Sequence, residues 1–105
     1  MANVAKGKTY FLVVLNLGPT PRIDEAVVSA VRMKHLQQQF YLAQQGKLVI
    51  NGPVLGDEHL RGISIYAVDD IEEVRGFLAV DPMIVAGYLT GEVYPWMGMP
   101  GDRLP

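Results

Sequence analysis

Between Thr9 and Leu17 the chain reads TYFLVVLNL, a nearly unbroken apolar run closed by Gly18-Pro19-Thr20-Pro21. A short run of β-branched, aromatic and aliphatic residues bounded by turn residues predicts a buried strand over 9–17. From Asp24 to Gln45 there is neither Gly nor Pro, and apolar residues recur at Ala26, Ala30, Met33, Leu36, Phe40 and Ala43. That spacing predicts a long helix, stopped by Gly46 and Lys47. KLVINGPV (47–54) predicts a second strand, with Gly52-Pro53 marking a bulge or an edge. After the polar connection LGDEHLRG, ISIYAV (63–68) alternates as a third strand, hairpin-linked to the second. Asp70 with Glu73 three residues on resembles a capping box and opens a second helix through about Val80. A short helical turn from Pro82 and a fourth strand, YLTGEVYPW (88–96), complete the pattern.

The order is β-α-β-β-α-β, the ferredoxin-like α+β arrangement, a four-stranded antiparallel sheet with helices on one face. The first strand is apolar on both alternations: Phe11, Val13 and Leu15 on one side, Tyr10, Leu12, Val14 and Asn16 on the other. An uncovered apolar sheet face would sit badly in water, so a second copy is expected to cover it as a homodimer. Residues 1–8 are read as a flexible N-terminal segment, 9–96 as the domain, and 97–105 as a tail, mobile or lying on a partner.

Composition narrows the picture. A chain of 105 residues has room for one domain, and half of its residues are hydrophobic against 19% charged, which excludes disorder. A net charge of -2 offers no basic surface for phosphates, and the strands lack an aromatic RNA-binding motif, so nucleic acid is not an expected partner. The absence of cysteine removes disulfides, thiolate metal sites and cysteine nucleophiles. Thr9 to Leu17 is about half the length needed to span a bilayer, and no small-residue cleavage site follows it. The expected location is therefore the cytoplasm, without membrane attachment.

Two histidines can be weighed for chemistry. On a helical wheel Met33, Leu36, Phe40 and Ala26 fall together and are expected to form the core stripe. His35 lies far round from it, with Val28, Val31 and Leu42, on a second apolar side that would face a cavity or a partner. A sheltered imidazole there can act as a general base or acid, although a satisfied structural histidine has the same local signature. His59 sits among Asp57, Glu58 and Arg61 and is expected to be solvated. No HxH or HExxH pattern joins the two, so no metal site and no cofactor are expected. Asp81 before Pro82 fits an N-cap, and a carboxylate so placed can also orient an imidazole through its ring N–H. Arg32, one helical turn before His35, can hold an anionic group, and Gly52-Pro53 can allow close approach of a ligand. Tyr94 and Trp96 can line a pocket or form core or dimer contacts. Ser29 and Ser64 are the only serines and there is no GxSxG elbow, which argues against a serine hydrolase.

Several of these elements stand in one order: Arg32-Met33-Lys34-His35-Leu36, Gly46-Lys47-Leu48, Gly52-Pro53, the acidic Asp70 to Glu73 start, Asp81-Pro82 with Ala86-Gly87, and Pro95-Trp96. Together they resemble the YCII-related family of small bacterial proteins, from about Tyr10 to Trp96. The resemblance implies a ferredoxin-like fold forming a dimeric α+β barrel. It also implies an active site built on a His–Asp pair, which falls on His35 and Asp81. The chain departs from the family pattern in the long GPTPRIDEAVVSAV lead into its first helix and in the tail after Trp96.

The expected function is a cofactor-independent lyase or isomerase acting on a small anionic or aromatic metabolite. His35 would transfer the proton, Asp81 would fix its tautomer, and Arg32, Gly52 and Pro53 would contact substrate. The alternatives are a non-catalytic dimeric protein that binds a small ligand in the same cavity, and an interaction module using Val28, Val31 and Leu42.

Overall fold

The computed structural model describes residues 6–105. Along them run β1 (Lys8–Leu17), α1 (Glu25–Gln44), β2 (Leu48–Pro53), β3 (Leu60–Tyr66), α2 (Ile71–Val80), α3 (Pro82–Val85) and β4 (Leu89–Gly98). The strands form one antiparallel sheet in the order β2-β3-β1-β4. This is the ferredoxin-like topology that the hydrophobic pattern predicts. The expected N-terminal segment is outside the described residues over 1–5, whereas Lys8 already pairs with Gly98 at the far end of β4. β4 thus extends through Met97 and Gly98, two residues the sequence pattern leaves to the tail.

Local chemistry explains the boundaries. Asp24 caps α1 by accepting from the N–H groups of Ala26 at 3.0 Å and Val27 at 3.3 Å. Gly46 follows α1 and Gly87 follows α3, at φ of 75° and 80°, left-handed values that a side chain adopts at a cost. β2 is an edge strand, where Pro53 and its missing N–H are tolerated. Its register irregularity lies between Leu48 and Ile50, ahead of Gly52-Pro53.

The core lies between the helices and one sheet face. Phe11, Val13 and Leu15 of β1 meet Val28 and Leu42 of α1, Val74 of α2 and Met83 of α3, all buried. Burying each such side chain contributes about 1.5–3 kcal/mol before entropy is counted.

The buried stripe of α1 is the reverse of the one its periodicity favours. Val28, His35, Gln39 and Leu42 face inward, whereas Met33 is 57% exposed and Phe40 67% exposed. The expectation that Val28, Val31 and Leu42 form an outer contact surface is corrected with it, because Val31 also packs on the core. The cause is pairing: two polar residues can occupy the inner face because each finds a hydrogen-bond partner on another element.

The opposite sheet face carries Tyr10, Leu12, Ile63, Ile65, Tyr94 and Trp96, placed together by the pairings of β1 with β3 and β4. Among the described residues no helix covers it, and Tyr94 and Trp96 are exposed. Among the described residues, no helix is long and apolar enough to cross a membrane.

Candidate active site

Asp81 stands where α2 passes into α3, with extended backbone at φ -64° and ψ 122°. One carboxylate oxygen, Oδ1, accepts the Met83 N–H at 2.9 Å, capping α3, and Pro82 at the next position has no N–H to compete. Both oxygens also reach the His35 ring, Nδ1 lying 2.9 Å from Oδ1 and 2.7 Å from Oδ2. The backbone carbonyl of Asp81 accepts in turn from Ile84 and Val85, so the carboxylate sits on a fixed frame. The residue is both helix cap and partner to the imidazole.

The pair is buried, at 8% exposure for His35 and 5% for Asp81. A carboxylate can only accept, so Nδ1 carries the proton and the lone pair of the neutral ring lies on Nε2. Nε2 makes no hydrogen bond within the described chain, and His35 lines a cleft of about 340 Å³ while Asp81 stands behind it. Tyr66 on β3 packs near the same carboxylate. Burial first, then the negative charge of Asp81, push its phenol up to about 12, so it remains protonated.

The cleft collects residues from several elements. Arg32, Leu36 and Gln39 of α1 flank His35; Asn51, Gly52 and Pro53 of β2 form one rim. Asn51 donates to the Gln39 side chain at 2.9 Å and holds it in place. Leu15, Met83 and Leu89 supply an apolar floor, and Ser64, nearly fully buried, lies beside it. A Cβ added at Gly52 would meet nothing within 4 Å, so the rim is open at this position.

The structure therefore brings together His35, Asp81, Arg32, Gly52 and Pro53. His59 is exposed and apart from them, its backbone N–H bound to Asp57. Tyr94 and Trp96 lie on the uncovered sheet face and do not line this cleft. Sequence reasoning missed Arg22, Gln39, Asn51, Arg61, Ser64 and Tyr66. Ser64 and Tyr66 share the inward alternation of β3, a signal present in ISIYAV. Arg22 has no such signal, since its position depends on how a loop docks.

An antiparallel sheet backed on one face by helices, which place a buried His–carboxylate pair beside a small cleft, defines an α+β domain with a sheltered imidazole. The YCII-related domain matches residues 10–97, and the chain belongs to that family. No curated protein matches it in sequence. Among solved structures it is similar to muconolactone isomerase, at 17% identity over 91% of this chain and 96% of that one, with a TM-score of 0.69. It is also similar to 5-chloro-2-hydroxyhydroquinone dehydrochlorinase from Burkholderia phenoliruptrix, solved with 2,5-dihydroxybenzoquinone, at 22% identity over 81% and 92% of the two chains and a TM-score of 0.58. Likeness at these identities carries the fold, and chemistry has to be argued from the site.

Proposed function

We propose that the protein is a cofactor-independent lyase or isomerase that moves a proton on a carbon of a small anionic or aromatic metabolite. The observation that carries this reading is the 2.7 Å contact between His35 Nδ1 and the Asp81 carboxylate, with the ring placed on a cleft. Neutral His35 takes a proton from an acidic C–H through Nε2, and the electron pair left behind moves into an adjacent carbonyl. Asp81 accepts from the other ring nitrogen throughout and stabilises the imidazolium. Return of the proton at another carbon completes an isomerisation. Departure of an anion from the neighbouring carbon, with its bonding pair, completes an elimination instead. A dehydrochlorinase and an isomerase among the fold neighbours agree with this choice.

The uncovered sheet face supports a homodimer, with a second copy covering Tyr10, Tyr94 and Trp96. A dimeric mass in solution that a charged residue at Trp96 converts to a monomeric one is the expected result.

Proton exchange tests the chemistry. The protein is incubated in deuterated water with a panel of small keto acids, enols and hydroxyquinones, and C–H signals are followed by NMR. Wild type should exchange a C–H of at least one compound, and His35→Ala should abolish exchange while keeping its circular dichroism. Exchange that survives in folded His35→Ala would sink the reading. Tight binding of a panel member without exchange would make the protein a non-catalytic ligand binder.

A further inference from the structure

The long lead into α1 is stitched down on the turn that follows α3. Gly18 donates to the Tyr88 carbonyl at 2.8 Å, Thr20 donates from its backbone to Gly87 at 3.0 Å, and its hydroxyl donates to Ala86 at 2.9 Å. A Cβ on Gly18 would fall 2.1 Å from the Gly87 oxygen, so the approach tolerates only glycine. This segment carries Arg22, whose guanidinium donates to the Tyr88 carbonyl at 3.2 Å and lines the cleft. A rigid loop thus delivers a cation to the wall that His35 occupies.

Two further guanidiniums line the same cleft. Arg32 comes from α1, one turn before His35, and Arg61 comes from β3. None of the three is in an ion pair: those within the described residues are His35–Asp81, Lys47–Glu73 and Arg75–Glu72. Arg22 instead titrates below its ordinary value, first through partial burial and then through the positive charges of Arg61 and Arg32, with Glu25 and Tyr88 acting the other way. Asp57 is near Arg61 but forms no ion pair with it among the described residues, and its Oδ1 accepts the Leu60 and His59 N–H groups at 2.7 and 2.8 Å. The Nε of Arg22 is buried without any partner. The positive charges of Arg61 and Arg32 both bear on Arg22 at the cleft, and an anion held among the three guanidiniums relieves that repulsion.

We propose that Arg22, Arg32 and Arg61 form an anion subsite that binds a carboxylate of the substrate and turns the neighbouring carbon toward Nε2 of His35. Planar guanidinium forks match a carboxylate, and the apolar floor of Leu15, Met83 and Leu89 suits the body of a small organic acid better than a phosphate ester or free phosphate. At about 340 Å³ the cleft is near the small end of ligand sites, which fits a compact ring or short chain. The orienting role rests on the acid–base reading above; the subsite itself stands on the arginines.

The full-length protein is titrated with benzoate and with its neutral isostere benzamide, read by NMR at low ionic strength. Benzoate should bind, shift the His35 ring signals and weaken with added salt, while benzamide binds about tenfold more weakly or worse. Arg61→Gln, at an exposed position, and Arg22→Gln should each weaken benzoate about tenfold and leave benzamide unchanged, with Arg22→Lys partly restoring it. Equal affinity for the two probes, or unaltered benzoate binding in folded Arg61→Gln and Arg22→Gln together, overturns the subsite. Inorganic phosphate displacing benzoate at equal concentration overturns the carboxylate assignment. His35→Gln should still bind benzoate, and wild type that binds benzoate through the arginines yet exchanges no C–H of any compound in the panel indicts the acid–base reading alone. Exchange retained with binding indifferent to the arginines indicts the subsite alone.

Discussion

Asp70 and Asp81 begin as the same local device. Each has extended backbone at the start of a helix, and each accepts an N–H two residues on at 2.9 Å, from Glu72 and from Met83. Asp70 is exposed and its carboxylate has no further partner among the described residues, whereas Asp81 is buried against His35 and Tyr66. The difference shows how an ordinary cap becomes a site. A carboxylate has more acceptor capacity than one N–H uses, and what packs over it decides where the remainder goes.

The largest separation between the two should come from activity. Asp81→Asn keeps an oxygen for the Met83 N–H but removes the charge that faces Nδ1, and the proton-exchange rate should drop by about 100-fold or more. Asp70→Asn should leave that rate unchanged. Matching rates in the two variants would reduce Asp81 to a cap.

Stability gives the next contrast. Asp81→Ala leaves a buried imidazole without its partner and should lower the unfolding free energy by about 3 kcal/mol in urea titration. Asp70→Ala loses an exposed cap worth about 1 kcal/mol.

A smaller effect lies at high pH. The Tyr66 phenol has its folded pKa raised from 10.0 to about 12, so the fold favours the neutral form. Its contribution is fully present below pH 10 and is lost as pH rises toward 12, on the order of 2 kcal/mol in all. Unfolding monitored across that window should show the decline in wild type and lose it in Tyr66→Phe. Asp81→Asn should reduce it only in part, because the charge that Tyr66 feels is gone while its burial, the larger cause, remains, and Asp70→Asn should leave it as it is.

The smallest effect should come from the solvated counterpart of the His35–Asp81 pair. Lys47 and Glu73 meet at 2.8 Å, but both are more than a third exposed. Lys47→Met should therefore change stability by about 0.5 kcal/mol or less.

Much of the fold was legible along the chain. The TYFLVVLNL run, the Gly-free and Pro-free stretch and the hairpin signals mark elements whose period and punctuation are local properties, and those elements exist. The face of α1 was not legible, because Met33, Leu36 and Phe40 look like a core stripe as much as Val28 and Leu42 do. His35 and Gln39 lie inside only because Asp81 and Asn51 supply hydrogen bonds from elsewhere in the chain. The site was legible in part: Asp81 reads as a cap from Asp-Pro alone, and family resemblance pointed to its partner. Arg22 and Arg61 stayed hidden, since a lone arginine in a loop or at a strand start has no periodic signal.

The sequence alone therefore determined the order of strands and helices, their caps and stops, and the choice of a one-layer sheet with apolar residues on both faces. These follow from backbone preference and the alternation of side chains, which act over a few residues. Only the tertiary structure decided which stripe of α1 turns inward, that one carboxylate serves both a helix end and an imidazole, and that three arginines from a loop, a helix and a strand share one cleft. Those outcomes depend on contacts between residues far apart in the chain, where burial and the need to satisfy every buried polar group select one packing among several that the local pattern allows.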